Sequence, residues 1–109
     1  MTLNRDNIID HIRHISAKLL PEGTSVFLFG SQARGDYSDN SDWDLLILLN
    51  KKGSLGITDR GQYTFPIYEL GAEMDIEINP VIYTETEWEK RSFTPFYKNV
   101  VNDRIRIWG

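Results

Sequence analysis

The residues with chemical potential gather in one stretch, which runs from Phe29-Gly30-Ser31-Gln32-Ala33-Arg34-Gly35 to Asp42-Trp43-Asp44-Leu45. Asp42 and Asp44 flank Trp43 at the head of a β-prone run, where residues two apart share a face, so both carboxylates project together. Two carboxylates that close repel each other, and they are tolerated in water or where a divalent cation neutralises both. Mg²⁺ suits such a pair: it takes oxygen ligands, keeps several waters, and binds through one or two carboxylates plus substrate phosphates. Gly30-Ser31 is the complement. Glycine lets a phosphate approach the backbone closely, and Ser31 can offer a hydroxyl while capping the following turn, whose amides attract anions. Arg34, about one turn further on, is placed either to reach phosphate oxygens or to pair with Asp36 or Asp39. A third carboxylate comes later in the chain. Asp75, with Glu77 beside it, could ligate a second ion and help deprotonate an acceptor hydroxyl, or the two could be ordinary acids on the wet face of a strand.

The elements that must position these groups follow from periodicity. Apolar residues at Ile8, Ile12, Ile15 and Leu19 predict a helix from Asn4 to Leu20, stopped by Pro21-Glu22-Gly23. Ser25–Phe29 predicts a short strand, and Trp43–Leu49 a second one, apolar on both faces as in the middle of a sheet. Residues 54–73 predict a helix broken or kinked near Pro66, with Gly61 and Gly71 weakening it further. Met74–Tyr83 alternates, which predicts a strand with Asp75, Glu77 and Asn79 on its wet face. Thr84-Glu85-Thr86-Glu87 has the capping-box pattern and opens a helix through Arg91. Phe93–Val101 predicts a further short helix. This order points to an α/β (α+β) sandwich in which helices pack on a small mixed sheet.

Composition narrows the class of protein. With 109 residues, 40% of them hydrophobic and 26% charged, the chain is expected to fold as one domain over residues 1–109. It has no cysteine, which excludes disulfides, thiolate metal sites and a cysteine nucleophile. No apolar run approaches a membrane span, and the polar opening Met1-Thr2-Leu3-Asn4-Arg5-Asp6 lacks a signal peptide's apolar stretch, so a cytoplasmic location is expected. The net charge of −4 argues against generic nucleic-acid binding. That total conceals a strongly acidic middle, since residues 35–87 hold eleven acids against three bases, and a basic end at Lys90, Arg91, Lys98, Arg104 and Arg106. The basic end reads as a solvated face or as a rim that attracts polyphosphate or an acidic partner. His11 and His14 read as surface or packing residues of the first helix.

Taken whole, this constellation resembles the minimal nucleotidyltransferases of the DNA polymerase β superfamily. Gly30-Ser31, ten intervening residues and Asp42-Trp43-Asp44-Leu45 match that family's signature. Ala33-Arg34-Gly35, Ser41 and Asn79-Pro80-Val81-Ile82-Tyr83 are similar as well, and the likeness spans about Ser25 to Tyr97. It implies the nucleotidyltransferase fold and a two-metal reaction on a nucleoside triphosphate, ATP foremost, that moves a nucleoside monophosphate to a hydroxyl and releases pyrophosphate. By the same resemblance Gly30, Ser31 and Arg34 would contact the triphosphate, and Asp42 and Asp44 would hold two Mg²⁺ ions. Asp75 would be the third carboxylate, its neighbours Met74 and Ile76 resembling the family's pattern, with Glu77 as the alternative. The chain extends too little beyond Tyr83 for an acceptor-gripping second domain, so a homo-oligomer or a separate protein is expected to hold the acceptor. The resemblance implies a small helical HEPN-type partner, paired with this chain as toxin to antitoxin and offering a tyrosine. Two other readings stand beside this one. In the first, the fold neutralises its partner by contact alone, and Asp42, Asp44 and Asp75 are dispensable. The second, an antibiotic nucleotidyltransferase, fits the short chain poorly.

Overall fold

The computed structural model describes residues 4–109, and the polar opening Met1-Thr2-Leu3 lies outside them. Helix α1 (Arg5–Leu19) starts where the Asn4 side chain accepts the Asn7 amide at 2.8 Å, and it buries Ile8, Ile9 and Ile12. Strand β1 (Ser25–Phe29) leads through Gly30 into a single turn, α2 (Ser31–Arg34), and strand β2 (Trp43–Leu49) follows after a polar loop. Helix α3 (Ile57–Glu73) precedes strand β3 (Ile78–Thr84). Two short helices, α4 (Glu85–Glu89) and α5 (Pro95–Asp103), lead to a last strand, β4 (Ile105–Trp108).

The four strands form one mixed sheet in the order β3-β2-β1-β4. β2 runs antiparallel to β1 and parallel to β3, and β4 closes the far edge antiparallel to β1. Alternation along the strands divides the core. Val26, Leu28, Trp43, Leu45, Ile47, Ile78 and Ile82 face α1 and α3, whereas Phe27 and Leu46 face Trp88 of α4 and Val100 of α5. Burial on both faces accounts for the continuous apolar run of β2.

Three expectations need correction. First, α3 runs unbroken through Gly61 and Pro66. Proline deprives the Gln62 carbonyl of its helical donor, but Gln62 is exposed, so water can replace that bond. Packing decides the matter: Ile67 is fully buried against the sheet, and Gly71 lies so close to Ile78 that an added Cβ would sit 3.1 Å from its Cγ1. Second, β3 begins at Ile78 rather than Met74. Residues 74–77 cap α3 instead, with Asp75 left-handed at φ 57° and the Ile76 amide bonded back to the Gly71 carbonyl at 2.9 Å. Met74 and Ile76 alternate because both tuck under the helix end against the core, and not because they belong to a strand. Third, the basic C-terminal stretch contains β4, too short and too charged to read as a sheet strand in isolation. The ends of α4 and α5 also fall within a few residues of the expected limits, and the Thr84–Glu87 capping box is present.

Candidate active site

β1 carries the chain to Gly30, β2 leaves from Asp42, and the antiparallel register sets Phe29 opposite Asp44. The two motifs meet there. Gly30 has φ 71° and ψ −154°, a region open almost only to glycine. An added Cβ would collide with Asp44 Oδ2 and lie 3.4 Å from its Cγ. Glycine is therefore needed twice, for the backbone turn and for the carboxylate resting on it. Past Gly30 the chain coils at once, since the Ala33 and Arg34 amides bond the Gly30 carbonyl at 3.1 and 3.0 Å. The opening amides of such a turn have no intrahelical acceptor.

The loop from Gly35 to Asp42 is held from beneath. Ser38 and Ser41 bond each other three times, amide to hydroxyl at 2.8 Å, amide to carbonyl at 3.0 Å and hydroxyl to hydroxyl at 3.3 Å. Gln32 is buried under this loop, its Nε2 3.5 Å from the Ser41 carbonyl and its Oε1 without a partner among the described residues. Arg5 of α1 donates to the Gln32 carbonyl, and its guanidinium lies over the rings of Tyr37, at 5.2 Å, and Trp43, at 5.8 Å. Sequence reasoning missed Arg5 and Gln32, because neither carries a spacing signal.

Gly30, Ser31, Arg34, Asn40, Ser41, Asp42 and Asp44 line an open hollow of about 470 Å³. Partial burial raises the pKa of Asp44 above its ordinary value. The Asn79 amide opposes that shift, the Asp42 charge adds to it, and Arg34 opposes it. The Asn79 Nδ2 also donates to Asp42 Oδ2 at 3.3 Å, so one β3 amide serves both carboxylates. Asn79 was missed as a site residue, although the parallel register that sets it beside Asp44 also makes it a neighbour of Asp42. Arg34 reaches Asp103 of α5 at 3.0 Å and Asp36 at 3.4 Å, and both contacts raise its pKa, the Asp103 bond most.

The two candidates for the third carboxylate have different surroundings. Glu77 comes against the pair: a hydrogen bond with Asp42 and then repulsion from the same group raise its pKa, and Asp44 adds a weaker push. Its carbonyl accepts the Trp43 amide at 2.9 Å, which ties it to the head of β2. Asp75 sits in the left-handed cap of α3 and lines a neighbouring hollow of about 410 Å³ with Asp39, Asn40, Ser41 and Glu77. Among the described residues, no three His, Cys, Asp or Glu side chains are close enough to enclose an ion by themselves. His11 and His14 lie exposed on α1, away from this hollow. No described helix is long and apolar enough to cross a membrane.

A Gly-Ser turn seated against an Asp-x-Asp strand, on a small mixed sheet covered by helices, defines a nucleotidyltransferase fold and site. Residues 9–107 match the family described as a nucleotidyltransferase domain, and the chain belongs to that family of enzymes. One Methanocaldococcus jannaschii relative named as a protein adenylyltransferase, MJ0141, is 39% identical over 74 residues, covering 68% of this chain and 73% of its own. A second from the same organism and named likewise, MJ0604, is 26% identical over 102 residues, covering 93% and 95%. Among solved structures, a toxin–antitoxin with AMP-PNP superimposes with a TM-score of 0.64 at 22% identity, covering 93% of this chain and 73% of that one. A doubly substituted toxin–antitoxin MntA–HpeT gives 0.61 at 20% identity, covering 98% and 74%. At these identities, the structural likeness is one of fold.

Proposed function

We propose that the chain transfers AMP from ATP to a hydroxyl of a partner protein, a tyrosine of a small helical HEPN-type toxin, in a Mg²⁺-dependent reaction. The observation that carries this reading is the seating of Asp44 on Gly30, which puts a carboxylate pair at the mouth of the Gly-Ser turn. The names of the relatives support the adenylyl group and the protein acceptor, and the toxin–antitoxin folds support the kind of partner.

The donor set suits Mg²⁺. Asp42 and Asp44 offer hard oxygens side by side, which suits an ion that completes its shell with water and substrate phosphate. Two ions held by Asp42, Asp44 and Glu77 would neutralise the triphosphate and the charge developing on it. Gly30 and Ser31 cradle the phosphates, and Arg34 swings from Asp103 to reach them. The acceptor oxygen attacks the α-phosphorus, forming one P–O bond as the bond to the pyrophosphate oxygen breaks, and pyrophosphate leaves with that electron pair. The hydroxyl proton passes to a carboxylate. We assign this part to Glu77, with Asp75 as the alternative carried by the resemblance.

Calorimetric titration of ATP, with Mg²⁺ and with EDTA, tests the nucleotide site beside an Asp42→Asn/Asp44→Asn variant. Binding that needs Mg²⁺ and vanishes in the variant is expected, and transfer of an α-phosphate label to a co-expressed partner should follow the same pattern. Glu77→Gln should abolish the transfer and Asp75→Asn should spare it. Label transfer that survives in the double variant refutes the mechanism, and a folded wild type that binds no ATP leaves the contact-only reading in its place.

A further inference from the structure

A second, roomier hollow lies away from the carboxylates. A groove of about 830 Å³ runs over the other half of the same sheet face, floored by Phe27, Leu48 and Trp88 and walled by Lys52, Lys90, Arg104 and Arg106. Arg104 and Arg106 share one ring, their guanidinium carbons 4.6 and 5.3 Å from the Phe27 centroid. Arg104 caps α5 and Arg106 lies in the edge strand β4; like charges over one ring repel, and neither arginine nor Lys90 takes part in an ion pair among the described residues. Lys52 is bridged to Glu85 at 3.5 Å, and Glu89 also lines the wall, so the groove keeps a surplus of two positive charges. This surplus sits on a chain whose net charge is −4 and whose other end of the same strands bears Asp42, Asp44 and Glu77.

We propose that this groove docks an acidic segment of the acceptor protein, on the same sheet face as Asp44. The proposal rests on the reading that the acceptor is a protein. The geometry suits that role. Phe27 opposes Leu46 and Phe29 opposes Asp44, so the groove floor and the carboxylate are two strand positions apart, about 7 Å along one sheet face. Buried Leu46 beneath Val100 and the Phe29–Phe96 ring pair, with centroids 5.8 Å apart, stand between them, so a bound polypeptide would reach the carboxylates by passing around α5. A nucleic-acid strand fits less well. Trp88 and Phe27 are 4% and 6% exposed and give bases no platform, and Glu85 and Glu89 interrupt the basic wall where a continuous phosphate backbone would run.

The test is fluorescence anisotropy of a labelled glutamate-alanine peptide carrying one tyrosine, titrated with the full chain at about 50 mM and about 500 mM salt. Salt-sensitive binding is expected, weakened roughly tenfold or more by Arg104→Glu/Arg106→Glu and, separately, by Lys90→Glu. Lys90 is exposed at the end of α4, so its reversal reads the groove even where loss of the Phe27 stacking unfolds the arginine variant. Calorimetric binding of ATP with Mg²⁺ should be unchanged in the folded variants, while Asp42→Asn/Asp44→Asn should keep full peptide binding. Docking and nucleotide chemistry therefore fail separately. Absence of salt-sensitive binding to folded wild type, binding undiminished by the reversals, or tighter binding of an oligouridylate of matched charge overturns the proposal.

Discussion

Replacing Gly30 with alanine puts the site's geometry to a direct test. Two costs can be worked out from the structure. The backbone at φ 71° and ψ −154° lies in a region that costs an ordinary residue about 1–3 kcal/mol, partly offset by the stiffer unfolded chain. The new methyl would also overlap Asp44 Oδ2 by about 1 Å relative to ordinary contact, so the carboxylate must move. Gly35→Ala is the control. Gly35 is also left-handed, at φ 89°, but an added Cβ meets nothing within 4 Å, so this change carries a backbone cost of roughly 1–2 kcal/mol and leaves Asp44 in place. Urea denaturation should show both variants destabilised, Gly30→Ala somewhat the more. Calorimetry and label transfer should separate them: about 1 Å of displacement at a reacting centre can cost about 100-fold in rate, and that loss belongs to Gly30→Ala alone. Wild-type transfer by Gly30→Ala, or an equal loss in Gly35→Ala, would refute the claim that Gly30 matters through its contact with Asp44.

Other perturbations follow from the same contacts. Asp44→Asn removes a charge that burial and Asp42 both disfavour, so its urea midpoint should equal or exceed that of wild type even as ATP with Mg²⁺ ceases to bind. Asp103→Asn frees Arg34 from its α5 partner and should tighten ATP binding, whereas Arg34→Ala should weaken it, both read by calorimetry. Burial opposes the charge of Glu87, but the Thr84 and Leu55 amides and the Arg60 guanidinium outweigh it and hold its pKa below the ordinary 4.5. A depressed folded pKa means that this stabilisation is complete above the unfolded value and fades as pH falls through the folded one. The urea midpoint of wild type should therefore drop more steeply below about pH 4.5 than that of Glu87→Gln, and Glu87→Ala should cost about 3 kcal/mol at neutral pH.

The site was legible in sequence where chemistry demands residue identity. Gly30-Ser31 and Asp42-x-Asp44 announce themselves by type and spacing, and the strands between them are bounded by glycine at one end and asparagine at the other. What escaped detection depends on contacts distant in sequence. Pro66 and Gly61 argue against a continuous helix until Ile67 and Gly71 are seen pressed to the sheet, a gain that no local propensity records. The turn at Met74–Glu77 imitates a strand because a helix cap and a pleat both bury alternate apolar residues. Arg5, Gln32 and Asn79 reach the site from three separate elements, and β4 exists only because β1 offers it an edge.

The residues of the site and those of the core interleave along β2 without sharing work: Trp43 and Leu45 are buried on one face, while Asp42 is exposed and Asp44 half-buried on the other. In evolutionary terms, the groups assigned to the proposed reaction can be erased without touching what keeps the chain folded. On that assignment, a single exchange at either aspartate would convert a transferase into an inert scaffold of the same shape, so lineages built on this sheet could cross from chemistry to mere adhesion in one step. Gly30 should outlast that step, because its backbone angle penalises any other residue even after the carboxylate resting on it has gone. A glycine at that bend, with no acid facing it, would mark a descendant that once handled nucleotides.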